Sequence, residues 1–157
     1  GRLAELGITA STQPVHATSD MEMADAYWGE RTAYAYAPRH QIDHGALVVF
    51  GSDAPVEVPN PWLGIHAAVT RRRRDGSPGP DGWHPEGRLT VDETLKAFTT
   101  NPAKATGKGD RQGRLKPGYW ADLIVLEEDP YSCDPADLKD IQPVGTMING
   151  KWVYRNF

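Results

Sequence analysis

Apolar residues in this chain are arranged in two manners. Up to about residue 107, short unbroken apolar runs alternate with longer stretches at mixed helical spacing; beyond it, short β-prone runs are separated by turns. The clearest run is Ala46-Leu47-Val48-Val49-Phe50, five apolar residues without alternation, which predicts a strand buried on both faces, as in a parallel sheet covered by helices. Gly51, Ser52, Asp53 and Pro55 end it. An earlier β-prone run over 8–13 stops at Pro14. Residues 1–7 read as the tail of a helix closed by Gly7.

Between the two strands the pattern predicts a polar loop over 14–20, then a helix from Met21 to Trp28 capped by Ser19 or Asp20. Residues 31–44 read as mostly helical, interrupted at Pro38. After the second strand come a proline-stiffened loop, a helical stretch over 62–72, and a long loop over 75–87 holding three prolines and four glycines. Thr90-Val91-Asp92-Glu93 is a capping box opening a helix, and Asn101-Pro102 starts a shorter one.

The character then changes. A strand is expected over 121–126, an acidic turn over 127–130, and two strands joined by Asn149-Gly150, a strong hairpin signal because both central residues must accept positive φ. The expected architecture is therefore α/β over 1–107, followed by a small β substructure over 108–157.

Composition narrows the function classes. A formal net charge of -4 over 157 residues gives no electrostatic case for nucleic acid. The one basic run, Arg71 to Arg74 before Asp75-Gly76, reads as a solvated helix end. No apolar run reaches the roughly 18 residues of a membrane span, so no membrane partner is expected and the cytoplasm is the default location. With Cys133 as the single cysteine, intrachain disulfides and thiolate zinc knuckles are excluded. A first residue that is not methionine, lying in the last turn of a helix, leads to the expectation that the chain is the C-terminal part of a longer protein.

Two residues are candidates for chemistry. Asp53 follows the strand over 46–50 and His16 follows the strand over 8–13, so both lie beyond the ends of strands in βα units. Read from spacing alone, Asp53 is either a functional carboxylate or a turn-former capping the next segment, and His16 either a ligand or a loop histidine bonded to backbone.

Three stretches carry a resemblance: residues 10–20 (Ala-Ser-Thr-Gln-Pro-Val-His-Ala-Thr-Ser-Asp), Phe50-Gly51-Ser52-Asp53-Ala54-Pro55-Val56, and Gly113-Arg114-Leu115-Lys116-Pro117-Gly118 leading into Ala121-Asp122-Leu123. Together, and in this order, they resemble the C-terminal part of metal-dependent hydrolases of the amidohydrolase superfamily, most nearly the amidohydrolase family 3 branch. The resemblance implies the last units of a (β/α)8 barrel of TIM type, followed by part of a small β-sandwich. It implies a divalent metal, zinc first among them, that activates water against an amide or cyclic amide. It matches Asp53 to the eighth-strand aspartate, a metal ligand and general base, and His16 to the sixth-strand histidine, a metal ligand. The family's remaining ligands have no counterpart in this chain.

His84 and His66 are the expected substrate contacts, set against the plainer readings of a loop and a helix histidine. Trp28 and Trp83 are candidates for an apolar wall or for packing, and Asp122 is read as structural. A small amide-type substrate is the expected partner. The competing expectation is a non-catalytic interaction module whose exposed strand edges pair with another chain, or with a second copy of itself.

Overall fold

The computed structural model describes all residues from Gly1 to Phe157 and has a mixed α/β fold. Its elements are α1 (Arg2–Glu5), β1 (Ala10–Thr12), α2 (Pro14–Trp28), α3 (Pro38–Asp43), β2 (Val48–Phe50), α4 (Pro61–Thr70), α5 (Val91–Phe98), α6 (Thr100–Ala105), β3 (Leu123–Leu126), β4 (Pro143–Ile148) and β5 (Lys151–Arg155). Short 3-10 turns cover Gly29–Tyr34, Pro85–Gly87 and Leu138–Asp140. No helix is long and apolar enough to cross a membrane.

β1 and β2 pair in parallel, Ala10 opposite Val48, Ser11 opposite Val49 and Thr12 opposite Phe50. Val48 and Phe50 are buried, at 1% and 7% exposure, in a cluster with Ala68, Leu89 and Ala97 against which Ala10, Ile42 and Phe98 pack. Side chains alternate across a strand, so Ser11 and Val49 face the other way; Ser11 is exposed and Val49 half-buried. The apolar run over 46–50 therefore has one buried face rather than the two its composition suggests.

The polar loop expected over 14–20 is helix. α2 begins at Pro14, seven residues ahead of Met21, because proline at the first helical position gives up only an N–H that has no partner there and already holds helical φ. Pro38 likewise opens α3 instead of interrupting a helix. The capping box of α5 forms as read: Thr90 accepts from the Glu93 backbone and Glu93 reaches back to the Thr90 backbone.

β3, β4 and β5 form an antiparallel sheet in that order. Asn149 and Gly150 join β4 and β5 with φ of 49° and 76°, the sign that a type I′ turn requires. Asp122 accepts the Asn149 N–H through Oδ1 at 2.7 Å, tying the hairpin turn to the start of β3. The C-terminal third is anchored to the α/β part: Leu138 and Ile141 are buried against Trp62 and Ile65 of α4.

The molecule exposes 9358 Å². A compact monomer of 17.3 kDa would expose about 7,800 Å² by the usual scaling with mass. Three separate small clusters stand in place of one continuous core.

Candidate functional site

Asp53 lies three residues beyond Phe50 and His16 four residues beyond Thr12, and Phe50 and Thr12 are register partners in parallel strands. Both residues thus follow the carboxyl ends of adjacent strands, the edge at which α/β sheets gather their functional loops.

Asp53 adopts φ +55°, a left-handed conformation that aspartate tolerates better than most residues. Its carbonyl accepts the Val56 N–H at 2.9 Å, closing a turn. The carboxylate takes no part in that turn: it is exposed and accepts no hydrogen bond from the protein. The following helix is capped instead by Asn60, whose Oδ1 accepts the Trp62 N–H at 3.0 Å. Backbone shape accounts for residue 53 being small and polar, but not for its charge.

His16 sits in the first turn of α2, not in a loop. Its Nε2 is buried without a hydrogen-bond partner, as is Thr12 Oγ1 at the end of β1. A buried imidazole nitrogen without a partner costs desolvation energy until something approaches it. A single orphan nitrogen and one carboxylate do not make a metal site, however. Nowhere does the chain gather three or more His, Cys, Asp or Glu side chains around a point that could hold an ion. A catalytic zinc takes three protein ligands plus water, so the residues of this chain alone do not fit a resident metal.

The other histidines differ in what surrounds them. His84, at φ +51°, has both ring nitrogens engaged, Nδ1 with Glu86 and Nε2 with Thr32 Oγ1, each at 3.1 Å. Its ring lies edge-on to Trp83. His66 is 3% exposed, in the middle of α4, and opens on a cleft between α2 and α4. Burial, with Lys139 and Arg72 close by and Asp140 opposing them, holds its imidazole down at about 4, so the ring is neutral at pH 7. His40 and His44 are both exposed near the end of α3, with His44 Nδ1 2.8 Å from the His40 carbonyl.

Trp83 is a packing residue. It is buried with Ala17, Met21, Ala24 and Ala35, and its Nε1 donates to Asp25 at 3.1 Å. Trp28 is 46% exposed at the end of α2. Burial and the acidic groups around Cys133 push its thiol up, which disfavours a nucleophilic thiolate.

Arg71 is the residue that sequence reasoning misjudged most. It was expected on a solvated helix end, yet it is 2% exposed. Its Nε donates to the Trp83 carbonyl at 3.0 Å and its Nη1 to the Tyr36 carbonyl at 2.9 Å, with the guanidinium 5.1 Å from the Trp83 ring centroid. Burial lowers its pKa to about 10, with Glu86 pulling the other way, so the group stays charged and pins the long loop to the end of α4 and to the segment before α3. One signal was available: no glycine closes α4, so Arg71 itself takes the left-handed cap, at φ 57°.

With this geometry in view, comparison with known proteins is informative. Residues 1–154 match the family described as "Amidohydrolase family". The chain is 36% identical over 154 residues to the amidohydrolase-family protein YtcJ of Bacillus subtilis, covering 98% of this chain and 29% of that protein. It is 32% identical over 151 residues to the N-substituted formamide deformylase of Arthrobacter pascens, covering 95% of this chain and 27% of that one. The crystal structure of an uncharacterized metal-dependent hydrolase from Pyrococcus furiosus superposes with a TM-score of 0.67 at 28% identity, over 83% of this chain and 26% of the other. The chain thus spans under a third of the length of these relatives, along nearly all of its own. It belongs to the amidohydrolase family.

Proposed function

We propose that this chain is the C-terminal portion of a hydrolase that cleaves a carbon–nitrogen bond in a small amide, and that Asp53 is its contribution to the chemistry. The observation that carries this reading is a carboxylate at the carboxyl end of β2 that does no structural work: it caps nothing and accepts no hydrogen bond from the protein. In amide hydrolysis, water adds to the carbonyl carbon while a base takes its proton. The same acid then returns that proton to the nitrogen as the C–N bond breaks, releasing a carboxylic acid and an amine. Asp53 is the group of this chain suited to carry that proton.

A divalent metal, zinc first among the candidates, is expected in the complete protein, and at least two of its donors would come from outside residues 1–157. The barrel reading also bears on His16. In a (β/α)8 barrel, consecutive strands are neighbours; if the Asp53 strand is the eighth, β1, which pairs directly with it, is the seventh. His16 then does not occupy the sixth-strand position, and we assign it a place near substrate or beside the Asp53 loop rather than a ligand bond. His84, with both nitrogens occupied, is assigned to bracing its loop.

A non-catalytic pairing module is the less economical reading, since it leaves the free Asp53 carboxylate without a role. The test is to supply the complete protein with small amides, including N-substituted formamides, with and without added zinc, and to measure the amine released. Turnover that depends on the metal is expected; a folded, metal-loaded protein that hydrolyses none of the amides, cyclic amides and ureas in a broad panel would overturn the proposal.

A further inference from the structure

A second polar site is built from residues other than Asp53 and His16. α2 and α4 pack against each other and leave between them a cleft of about 410 Å³, bordered by Ser19, Glu57, His66, Arg72, Arg73 and Arg74. Two of these groups have no partner. His66 is 97% buried by its 3% exposure, and no protein atom hydrogen-bonds its ring. Arg72 Nε is buried and donates to nothing. The neighbouring charged groups other than Arg74 have polar partners, and the carboxylates of Glu57 and Asp75, bonded only to serines, keep their charge. Arg73 is held by Glu22 at 2.7 Å and by the Thr18 and Ser19 carbonyls; Glu57 accepts from Ser19 Oγ at 2.8 Å, and Asp75 from Ser77. Arg74 is exposed and makes no ion pair.

What is left over is a guanidinium with a free donor, a second free guanidinium, and an uncharged imidazole able to donate one hydrogen bond. A buried N–H without an acceptor costs free energy, and the acceptor that suits a guanidinium fork is an oxyanion. A hydrophobic occupant would leave these donors unmet, and a cation would meet Arg72 and Arg74. We propose that the α2/α4 cleft binds the phosphate or carboxylate group of a small molecule, with Arg72 as the anchoring cation, His66 as a neutral donor and Arg74 at the rim. His66, expected from the sequence as a substrate contact, is assigned to this cleft instead, and no other lining residue has a role in the proposed hydrolysis.

Anion binding also has a distinct signature. An anion beside His66 offsets the repulsion from Arg72 and Lys139, and so adds to the effect of Asp140, raising the imidazole from about 4. The experiment titrates the complete protein with inorganic phosphate, and separately with succinate, while following the His66 ring resonances by NMR at constant ionic strength made up with sodium chloride. The resonance is assigned from its loss in His66→Gln. A saturable shift with one or both probes is expected, and the stronger probe identifies the headgroup chemistry. Arg72→Met should weaken binding at least about tenfold, the loss of one charge-assisted hydrogen bond. Arg72→Lys, which keeps the charge and removes the fork, should weaken it several-fold and remains informative if the methionine variant does not fold. No saturable shift with either probe, an equal shift with chloride, or undiminished binding in the lysine variant would overturn the proposal.

Discussion

The two sheets of this molecule have opposite relations to their surroundings. In the parallel pair, one face carries Val48 and Phe50 into a cluster sealed by α4, α5 and the segment before it. In the antiparallel sheet, every residue of β5 is exposed, and Trp152, Val153, Tyr154 and Ile148 retain between 40% and 61% of their surface. Both sheets contain apolar strands; the parallel pair is pressed against helices, whereas in the antiparallel sheet Leu126 of β3 packs on the α4 cluster and β5 is left open. The contrast teaches that strand composition reports the cover a strand is built for, not the cover it has within one stretch of chain. Ser11 and Val49, on the open face of the parallel pair, belong with the exposed sheet in this respect. The excess of accessible surface over that of a compact monomer has the same origin.

Substitutions can break or sharpen this contrast, and the largest effect should come from the strand aromatics. Phe50→Ala removes a ring that is 7% exposed and packs edge-on to Phe98 at 5.6 Å; it should cost about 3–5 kcal/mol in denaturant unfolding. Trp152→Ala removes a larger ring, but one 40% exposed with Phe157 as its aromatic neighbour, and should cost about 1 kcal/mol or less. Equal costs would mean that the hairpin is as tightly packed as the helical side.

Two glycines give a finer comparison, because a methyl group at either would meet a ring carbon at 2.8 Å. At Gly64 that carbon belongs to Phe98, wedged between two buried clusters; at Gly145 it belongs to Phe157, 63% exposed, with a Trp152 ring carbon at 2.9 Å beside it, so both partly exposed rings must move. Gly64→Ala should destabilise by about 1–3 kcal/mol through overpacking, and Gly145→Ala by less, about 1 kcal/mol, because both rings it meets are partly exposed. Thermal unfolding of the pair distinguishes a rigid from a yielding neighbour.

Next in size is the capping box of α5, which presents Thr94 and Ala97 to the buried side. Thr90→Ala should cost about 1 kcal/mol. Glu93 adds a pH dependence. Burial pushes its carboxyl up, but hydrogen bonds from Thr90 and Arg39 outweigh this and hold it below its ordinary value of 4.5. A carboxyl depressed on folding contributes stability that is fully present above the unfolded value and is lost as pH falls through the folded one. Acid titration of stability should therefore be flatter in Glu93→Gln below about pH 4.5 than in the parent chain.

How much of this was legible beforehand divides along physical lines. The capping box, the Asn149-Gly150 hairpin and the helix end at Gly7 are local chemistry, satisfied by residues within a few positions, and all three form as read. The strand at Phe50 was legible from its composition, though its second face was not, because cover is a tertiary property. The start of α2 was misread because Pro14 breaks a strand and opens a helix with the same ring, and the polar residues after it look like a loop. Arg71 was hard to read for a related reason: a buried guanidinium resembles a solvated one in sequence, and beyond the missing glycine at the end of α4 it is the carbonyls of Tyr36 and Trp83 that distinguish it. For the candidate site, the sequence indicated Asp53 and His16 beyond the ends of two strands. It could not show that β1 pairs directly with β2, which decides where His16 stands relative to Asp53.

The central claim is that Asp53 is present for chemistry and not for shape. The direct measurement is Asp53→Asn in the complete protein, with steady-state hydrolysis of its best amide substrate and thermal unfolding followed on the same preparation. Asparagine keeps the size and the tolerance for φ near +55° while removing the base. The account predicts a fall in kcat of at least about a thousandfold with an unchanged melting temperature. Turnover within a few-fold of the parent, or a loss of activity that merely tracks a loss of folded protein, would contradict it.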